Sequence, residues 1–381
     1  MSEFRARLAS SAAEIGRGAW NALANPQAAA CPHPFTQHEF FAALEESGSA
    51  SVHNGWQACH LMLEKDGQAV GLMPLYLKNH SQGEYVFDHA WADALERAGG
   101  DYYPKLQCAV PFTPVTGRRL LAPAEAMPAM LEAGKNAVRQ LGASSLHITF
   151  LTEAEWQAAG DAGYLLRTDR QFHWKNEGYR DFEDFLSRLS SAKRKNLRKE
   201  RASVRDAGIT FEHLTGSDIT EADWDQFFAF YTDTGSRKWG HPYLTRDFFS
   251  RIGSSMADQI LLVMARQDGR TIAGALNLFG DGTLFGRNWG STEYLPFLHF
   301  ETCYYQAIDF AIARGLSKVE AGAQGVHKLL RGYMPEETRS AHMIAHPGLA
   351  RAVDAYLAQE RAAIADNIDE LAAQGPFKKG A

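Results

Sequence analysis

Between Arg287 and Arg339 the chain mixes carboxylates, histidines, arginines, aromatics and short glycine turns at a density that a plain core does not need. Gly286-Arg-Asn-Trp-Gly290 sets Arg287 and Trp289 side by side in one short motif. A helix-patterned run follows and opens with His299 and Glu301. Glu301 and Tyr305 stand one helical turn apart, so they share a face. A carboxylate at that place can take a proton, and a phenol can donate to a developing oxyanion. The plainer alternatives are a carboxylate that complements the helix dipole, a packed core tyrosine and a structural histidine. Next comes Gly322-Ala-Gln-Gly325, whose glycines let the backbone approach a ligand closely. Gln324, His327, Lys328 and Arg331 would then face the same mouth, and Lys328 can hold an anion or polarise a carbonyl. A turn with surface charges is the alternative. Trp239, His241 and Tyr243 form a polar-aromatic loop able to cover such a site, or a loop simply anchored by its tryptophan.

A second cluster is basic. Arg188, Lys193, Arg194, Lys195, Arg198, Lys199, Arg201 and Arg205 are opposed only by Glu200. Arg194, Arg198, Arg201 and Arg205 fall on one helical face. Like charges stacked this way repel, which is tolerable where an anion binds, and guanidinium forks match phosphate oxygens. A nucleotide-linked donor, a tRNA end or a lipid pyrophosphate would fit, and a solvated basic helix is the alternative. Other chemistries lack their signatures. There is no His-Glu-x-x-His, Gly-x-Ser-x-Gly or Walker loop. His33 and His38 are near neighbours without companions, so no metal is expected.

The elements that position these residues repeat. Asp66-Gly67 and Asp268-Gly269, 202 residues apart, each separate two strand-like runs. Asp-Gly in that setting signals a hairpin, because its turn needs positive φ. Tyr85–Trp91 and Leu284–Trp289 each read as a third strand leading to a helix, their tryptophans 198 residues apart. One α/β unit used twice explains both spacings; chance hairpins are the alternative. The first unit continues through a helix at Ala126–Leu141, a strand at Ser145–Leu151, a short helix at Glu153–Ala159 and an extended run at Tyr164–Trp174. The second opens with a helical Asp181–Ala207, then strand Ile209–Leu214 and helices Glu221–Thr232 and Thr245–Ser254. Its hairpin and third strand lead to a helix from about Pro296 to Arg314 and a strand at Ser317–Ala321. The tail from His346 to Gln374 keeps helical spacing of Leu349, Val353, Leu357, Ile364, Ile368 and Leu371. It is expected to pack back on the body or to serve a homodimer interface. The expected division is 1–175, 176–345 and a C-terminal helix 346–381.

Bulk properties narrow the setting. A hydrophobic content of 45% and a charged content of 22% suit a soluble globular protein. The net charge of −6 argues against broad DNA or anionic-membrane binding. Four cysteines far apart fit a reducing compartment. No signal-like apolar block opens the chain, and the longest strongly apolar run, Ile260–Ala265, is too short to span a bilayer. A cytoplasmic location is expected.

Several segments across the chain resemble the FemAB-like group of the GNAT superfamily, labelled peptidoglycan biosynthesis or recognition. They are Pro111-Phe-Thr-Pro-Val-Thr-Gly-Arg118, Arg170-Gln-Phe-His-Trp174, Lys193-Arg-Lys-Asn-Leu-Arg198, Trp239-Gly-His-Pro-Tyr243, Gly286-Arg-Asn-Trp-Gly290, His299-Phe-Glu301 with Tyr304-Tyr305, and Gly322-Ala-Gln-Gly-Val-His-Lys328. The resemblance implies an α/β fold with mixed sheets, built from two fused GNAT-like units. It implies an N-acyltransferase moving an acyl or aminoacyl group to an amine, such as a cell-wall precursor. Glu301 would be its base, Tyr305 its oxyanion donor and Lys328 a further catalytic group. Arg194, Lys195, Arg198, Arg201, Trp239, His241, Tyr243, Arg287, Trp289, His299, Gln324, His327 and Arg331 would bind substrate. The donor, acyl-CoA or aminoacyl-tRNA, stays open. The Gln/Arg-x-x-Gly-x-Gly/Ala loop that cradles a coenzyme A pyrophosphate in ordinary acetyltransferases is missing; Gly290-Ser-Thr-Glu-Tyr-Leu-Pro-Phe297 stands there instead. An aminoacyl-tRNA-dependent peptidyltransferase and a non-catalytic module binding peptidoglycan precursors are the two alternatives.

Overall fold

The structure, a computed structural model, describes residues 4–239, 242–322 and 325–378, apart from the side chains of 237–239. The strands in chain order begin with β1 (Arg5–Ala9), β2 (Trp56–Ala58), β3 (His60–Lys65), β4 (Gln68–Met73), β5 (Leu75–Lys78), β6 (Lys105–Cys108) and β7 (Ser145–Thr149). They continue with β8 (Leu165–Lys175), β9 (Ile209–Thr215), β10 (Ile260–Gln267), β11 (Arg270–Gly280), β12 (Thr283–Ser291), β13 (Lys318–Glu320) and β14 (Met334–Ile344).

Both Asp-Gly pairs turn antiparallel hairpins, β3–β4 and β10–β11. Asp66 and Gly67 have φ of 52° and 77°, and Asp268 and Gly269 have 50° and 76°. Two successive positive φ values give the primed turn that matches strand twist. The likeness goes deeper than the turn. The β3–β4 register shifts between Leu63 and Glu64, and the β10–β11 register between Ala265 and Arg266, so the extra residue, Val70 or Ile272, stands at the same distance after each turn. The one extended β11 has a broken counterpart in β4 and β5. Pro74 separates them and offers no N–H to a ladder. β4 pairs with β3 while β5 pairs with β2 and β6.

Past the hairpins the two halves again run alike. β6 lies parallel to β7, with the helix Met127–Gln140 between them, and β12 lies parallel to β13, with the helical segment 298–313 between them. The last strand is exchanged: β7 pairs antiparallel with β14, and β13 pairs antiparallel with β8. The compact units are therefore 1–169 with 337–366, and 170–336 with 367–381. This differs from the expected boundaries at 175 and 345, because the strand following each parallel pair in sequence completes the other unit. The helix Pro347–Ala373 is divided too. Leu349, Val353 and Leu357 pack with Trp91, Leu95 and Tyr102 in the first unit, whereas Leu371 joins the core of the second around Trp174 and Tyr305.

Two further expectations are corrected. Tyr85–Trp91 is not a strand; Trp91 lies in the helix His89–Arg97, and the strand role falls to β6. The 198-residue spacing of the tryptophans thus has no structural counterpart, while the 202-residue spacing of the hairpins has one. The span 181–207 is two helices, Phe182–Arg188 and Ser191–Asp206, because Leu189 is extended and bridges to Phe377. In the second unit Gly290 lets the helix Glu221–Trp239 lie against β12; a Cβ there would stand 2.2 Å from the Phe230 backbone. Among the described residues no helix is long and apolar enough to cross a membrane.

The first unit buries an unusual polar network. The Lys105 ammonium donates to Ser81, Glu84 and Asp88 at 2.5–2.7 Å. Tyr102 donates to Asp88, and the Nδ1 atoms of His147 and His342 face each other at 2.7 Å. Both imidazoles are 1–2% exposed. Burial, reinforced by nearby cations, holds both well below the ordinary histidine value. They stay neutral in the fold but take protons once unfolded. Their contribution is thus complete above about pH 6.5 and is lost as pH falls below it, at about 1.4 kcal/mol per pH unit for each histidine. Thermal midpoints measured from pH 7.5 to 5 should fall, and His147→Gln should flatten that slope. An unchanged slope in the variant would assign the acid sensitivity elsewhere.

Candidate active site

The second unit places its titratable groups along one helical segment. This segment starts after Phe297, whose φ is 66°, and runs from Leu298 to Ala313. Its middle, Glu301–Tyr305, is a π turn in which the Gln306 N–H donates to the Glu301 carbonyl. Such widened turns recur at functional sites. Here the turn sets Gln306 beside Glu301, five residues away, where a regular α-helix would not put it.

Glu301 is 3% exposed. Its Oε1 accepts from Arg201 Nη2 at 2.9 Å, Arg201 Nε at 3.2 Å and Gln306 Nε2 at 2.8 Å. Its Oε2 is buried and has no hydrogen-bond partner. Burial raises the proton affinity of this carboxyl above the usual carboxylate range, and Arg201 acts against that rise. Arg201 is itself divided, since its Nη2 also donates to Asp309 Oδ2 at 2.6 Å. Its guanidinium lies 4.2 Å from the Phe182 ring centre. Gln306 in turn accepts from His213 Nε2 at 2.8 Å. A cavity of about 720 Å³ opens here, with Glu301, Arg201, Arg198, Phe182, Leu186 and Phe211 among its walls. Its size suits a small-molecule ligand.

Adjacent to Arg201, Glu200 serves a second group. Tyr305 donates its hydroxyl to Glu200, and Arg331 Nη2 reaches both Glu200 oxygens at 2.9 Å. The Arg331 guanidinium stacks 3.4 Å from the Phe300 ring centre and donates to the His327 carbonyl at 2.8 Å. Tyr304 and His327 share a 3.0 Å bond between hydroxyl and Nε2. His299 packs edge-on against Trp289 and Tyr304, with ring centres 5.2 and 5.3 Å apart. The Lys328 ammonium is 2% exposed and donates to the Gly322 carbonyl at 2.8 Å. Burial pushes its proton affinity down to about 8.

The residues singled out from sequence thus divide. Glu301, Arg198 and Arg201 line the cavity, while Trp289 of β12, His299 of the helical segment, and His327 and Arg331 of the turn 326–331 gather around Phe300 and Tyr304. Glu301 and Tyr305 both face the helix Ser191–Asp206, but the tyrosine hydroxyl points to Glu200 and offers its proton there. The basic face is largely neutralised: Arg198 donates to Glu183 at 3.1 Å, Arg201 holds two carboxylates, and Arg194 reaches the Leu189 carbonyl at 3.4 Å. Lys195 is exposed, and Arg287 and Tyr243 are half-buried. His241, Gln324 and the side chain of Trp239 lie outside the described residues. Sequence reasoning missed Glu200, Asp309, Gln306 and His213. Only Glu200 carried a signal, as the lone acid in a basic run.

The FemAB-like family, described as peptidoglycan biosynthesis/recognition, matches residues 11–379. The chain belongs to the FemAB-like family. Among solved structures, FemX is 12% identical over 89% of this chain and 98% of its own, with a TM-score of 0.55. L-PGS from Bacillus licheniformis is 11% identical over 86% and 98%, with a TM-score of 0.52. Identities this low speak for the fold alone: a mixed α/β chain of two fused GNAT-like units. No curated protein sequence matches.

The Glu200 node makes a stability prediction. Tyr305→Phe removes one neutral donor from a carboxylate that keeps Arg331, so it should cost about 0.5–1.5 kcal/mol. Glu200→Ala strands the Arg331 charge, which is only 5% exposed, and should cost about 3–5 kcal/mol. Urea unfolding of both variants measures the difference; equal costs would show that Arg331 finds another partner.

Proposed function

We propose that this FemAB-like chain transfers an acyl or aminoacyl group to a primary amine of a peptidoglycan precursor, with Glu301 as the base. The observation that carries this reading is the asymmetry of the Glu301 carboxylate. Three donors fix one oxygen, and the other is buried without a partner, on a residue that lines the cavity. That arrangement orients a base while leaving its second oxygen for an incoming N–H.

In the proposed reaction a neutral amine attacks the carbonyl carbon of an activated acyl group, and its nitrogen passes one proton to Glu301. The new C–N bond produces a tetrahedral oxyanion. Collapse of that oxyanion breaks the bond to the donor's oxygen or sulfur, and the proton held by Glu301 can leave with the departing group. Lys328 is the cationic candidate to stabilise the oxyanion. Tyr305 acts one step back, fixing Glu200 and, through it, Arg331. The donor is acyl-CoA or aminoacyl-tRNA. Among the described residues none of the four cysteines forms a disulfide, and the proposed setting is the cytoplasm.

The test is turnover by purified protein with peptidoglycan precursor as acceptor and acetyl-CoA or charged tRNA as donor. Glu301→Gln keeps the shape of the site and should lower kcat by about 10²–10⁴ with KM nearly constant. Full activity in that variant would move the base elsewhere. Precursor binding without turnover by the wild-type protein, whichever donor is supplied, would make the chain a binding module.

A further inference from the structure

We propose that Asp309 is a positioning residue that makes Glu301 the better proton acceptor by drawing off part of the Arg201 guanidinium. This rests on the reading of Glu301 as the base, and it explains how a carboxylate so closely paired with an arginine works as a base.

Arg201 is the only cation among the described residues that bonds Glu301 directly. An arginine devoted to one carboxylate would lower that carboxylate's affinity for a proton and so weaken the base. Here the guanidinium is shared. Nη2, its best-placed donor, serves Glu301 at 2.9 Å and Asp309 at 2.6 Å, and Nη1 leans toward Asp309 at 3.4 Å. Asp309 lies two turns beyond Glu301 on the same helical segment, so its own negative charge also opposes ionisation of Glu301. Sharing and repulsion therefore work in one direction.

The other groups around the site do not replace this control. Gln306, from the same segment, is neutral and donates to Glu301. His213 on β9 reaches Glu301 only through that amide. Arg198 and Arg205, from the helix Ser191–Asp206, line the cavity with Glu183 from Phe182–Arg188; Arg198 is engaged by Glu183 and Arg205 lies 3.7 Å from Asp206. Glu200 is turned to Tyr305 and Arg331. Asp309 is partly exposed, its side chain at 31%, so replacing it should leave folding intact.

The experiment is a pH titration of the Glu301 side-chain carboxyl in the full-length protein labelled with ¹³C-glutamate. The resonance is assigned by its disappearance in Glu301→Gln. Asp309→Asn should move the Glu301 midpoint down by about one pH unit or more, whereas Asp309→Glu, which retains the charge, should keep it near the wild-type value. An unmoved midpoint in Asp309→Asn overturns the proposal, and so does an equal fall in Asp309→Glu, which would mark a packing effect. The acidic limb of the pH–rate profile gives a separate readout. A shifted carbon titration with an unshifted limb would uphold the role of Asp309 and remove Glu301 as the base.

Discussion

The second unit depends on two neighbouring charges of opposite sign, Glu200 and Arg201, on the helix Ser191–Asp206. Both point at the segment 298–313, and each gathers two partners: Glu200 takes Tyr305 and Arg331, and Arg201 takes Glu301 and Asp309. A buried ion pair adds little net stability, because desolvation offsets much of the attraction. Its geometric consequence is larger. With one charge missing, its partner is stranded in a low-dielectric setting, so the two helices are held to a single register. That register brings Glu301 to the cavity wall and Arg331 over Phe300. The π turn adds Gln306 to the same node and closes the shell around one Glu301 oxygen.

The two units share a scaffold without sharing a site. The helix Met127–Gln140 occupies in the first unit the place of 298–313 in the second, between two parallel strands. It begins Met127-Pro128, with no carboxylate in its first turn, and its Glu132 pairs with Lys135 at the surface. The polar residues of the first unit are instead closed inside, around Lys105, Asp88, His147 and His342, where nearly every donor is met within the network. One copy of the unit keeps an open cavity with an unmatched carboxylate oxygen, and the other keeps a sealed network. A chain built by duplication can specialise in this way because the hairpin and the parallel pair, not the polar residues, hold each copy together.

What was legible in the sequence follows from what is local. The Asp-Gly turns, the helix expected at Ala126–Leu141 and the strands beside them depend on short-range backbone rules, and the structure has them where those rules put them, the helix as Met127–Gln140. Nothing local marks the exchange of β8 and β14. Each is an extended run near the end of its unit, and which parallel pair it completes is decided by tertiary pairing. The false strand at Tyr85–Trp91 failed for a related reason, since Asp88 and Trp91 serve the buried network. Within the site, periodicity set Glu301 and Tyr305 on one face. It could not find Gln306, because the π turn breaks the period, nor Asp309, which shares with Glu301 an arginine a hundred residues away. The basic run was read as a phosphate platform because its counter-charges, Glu183, Glu301 and Asp309, lie outside it.

The same distinction bears on the donor. In ordinary acetyltransferases a glycine-rich loop before this helix leaves its N–H groups open to a pyrophosphate. Here Ser291 ties part of the corresponding segment down. Ser291 donates to the Ile272 carbonyl at 3.1 Å and to the Glu293 carbonyl at 2.7 Å, and the Glu293 N–H returns to the Ser291 hydroxyl at 3.1 Å. The helix then starts from a left-handed residue, Phe297, with the Glu301 N–H already donated to the Phe297 carbonyl at 2.9 Å. Glu293 places a negative charge on this segment, which disfavours a phosphate there. Under the proposed transfer reaction, a donor carrying a pyrophosphate would have to be held elsewhere than at this segment.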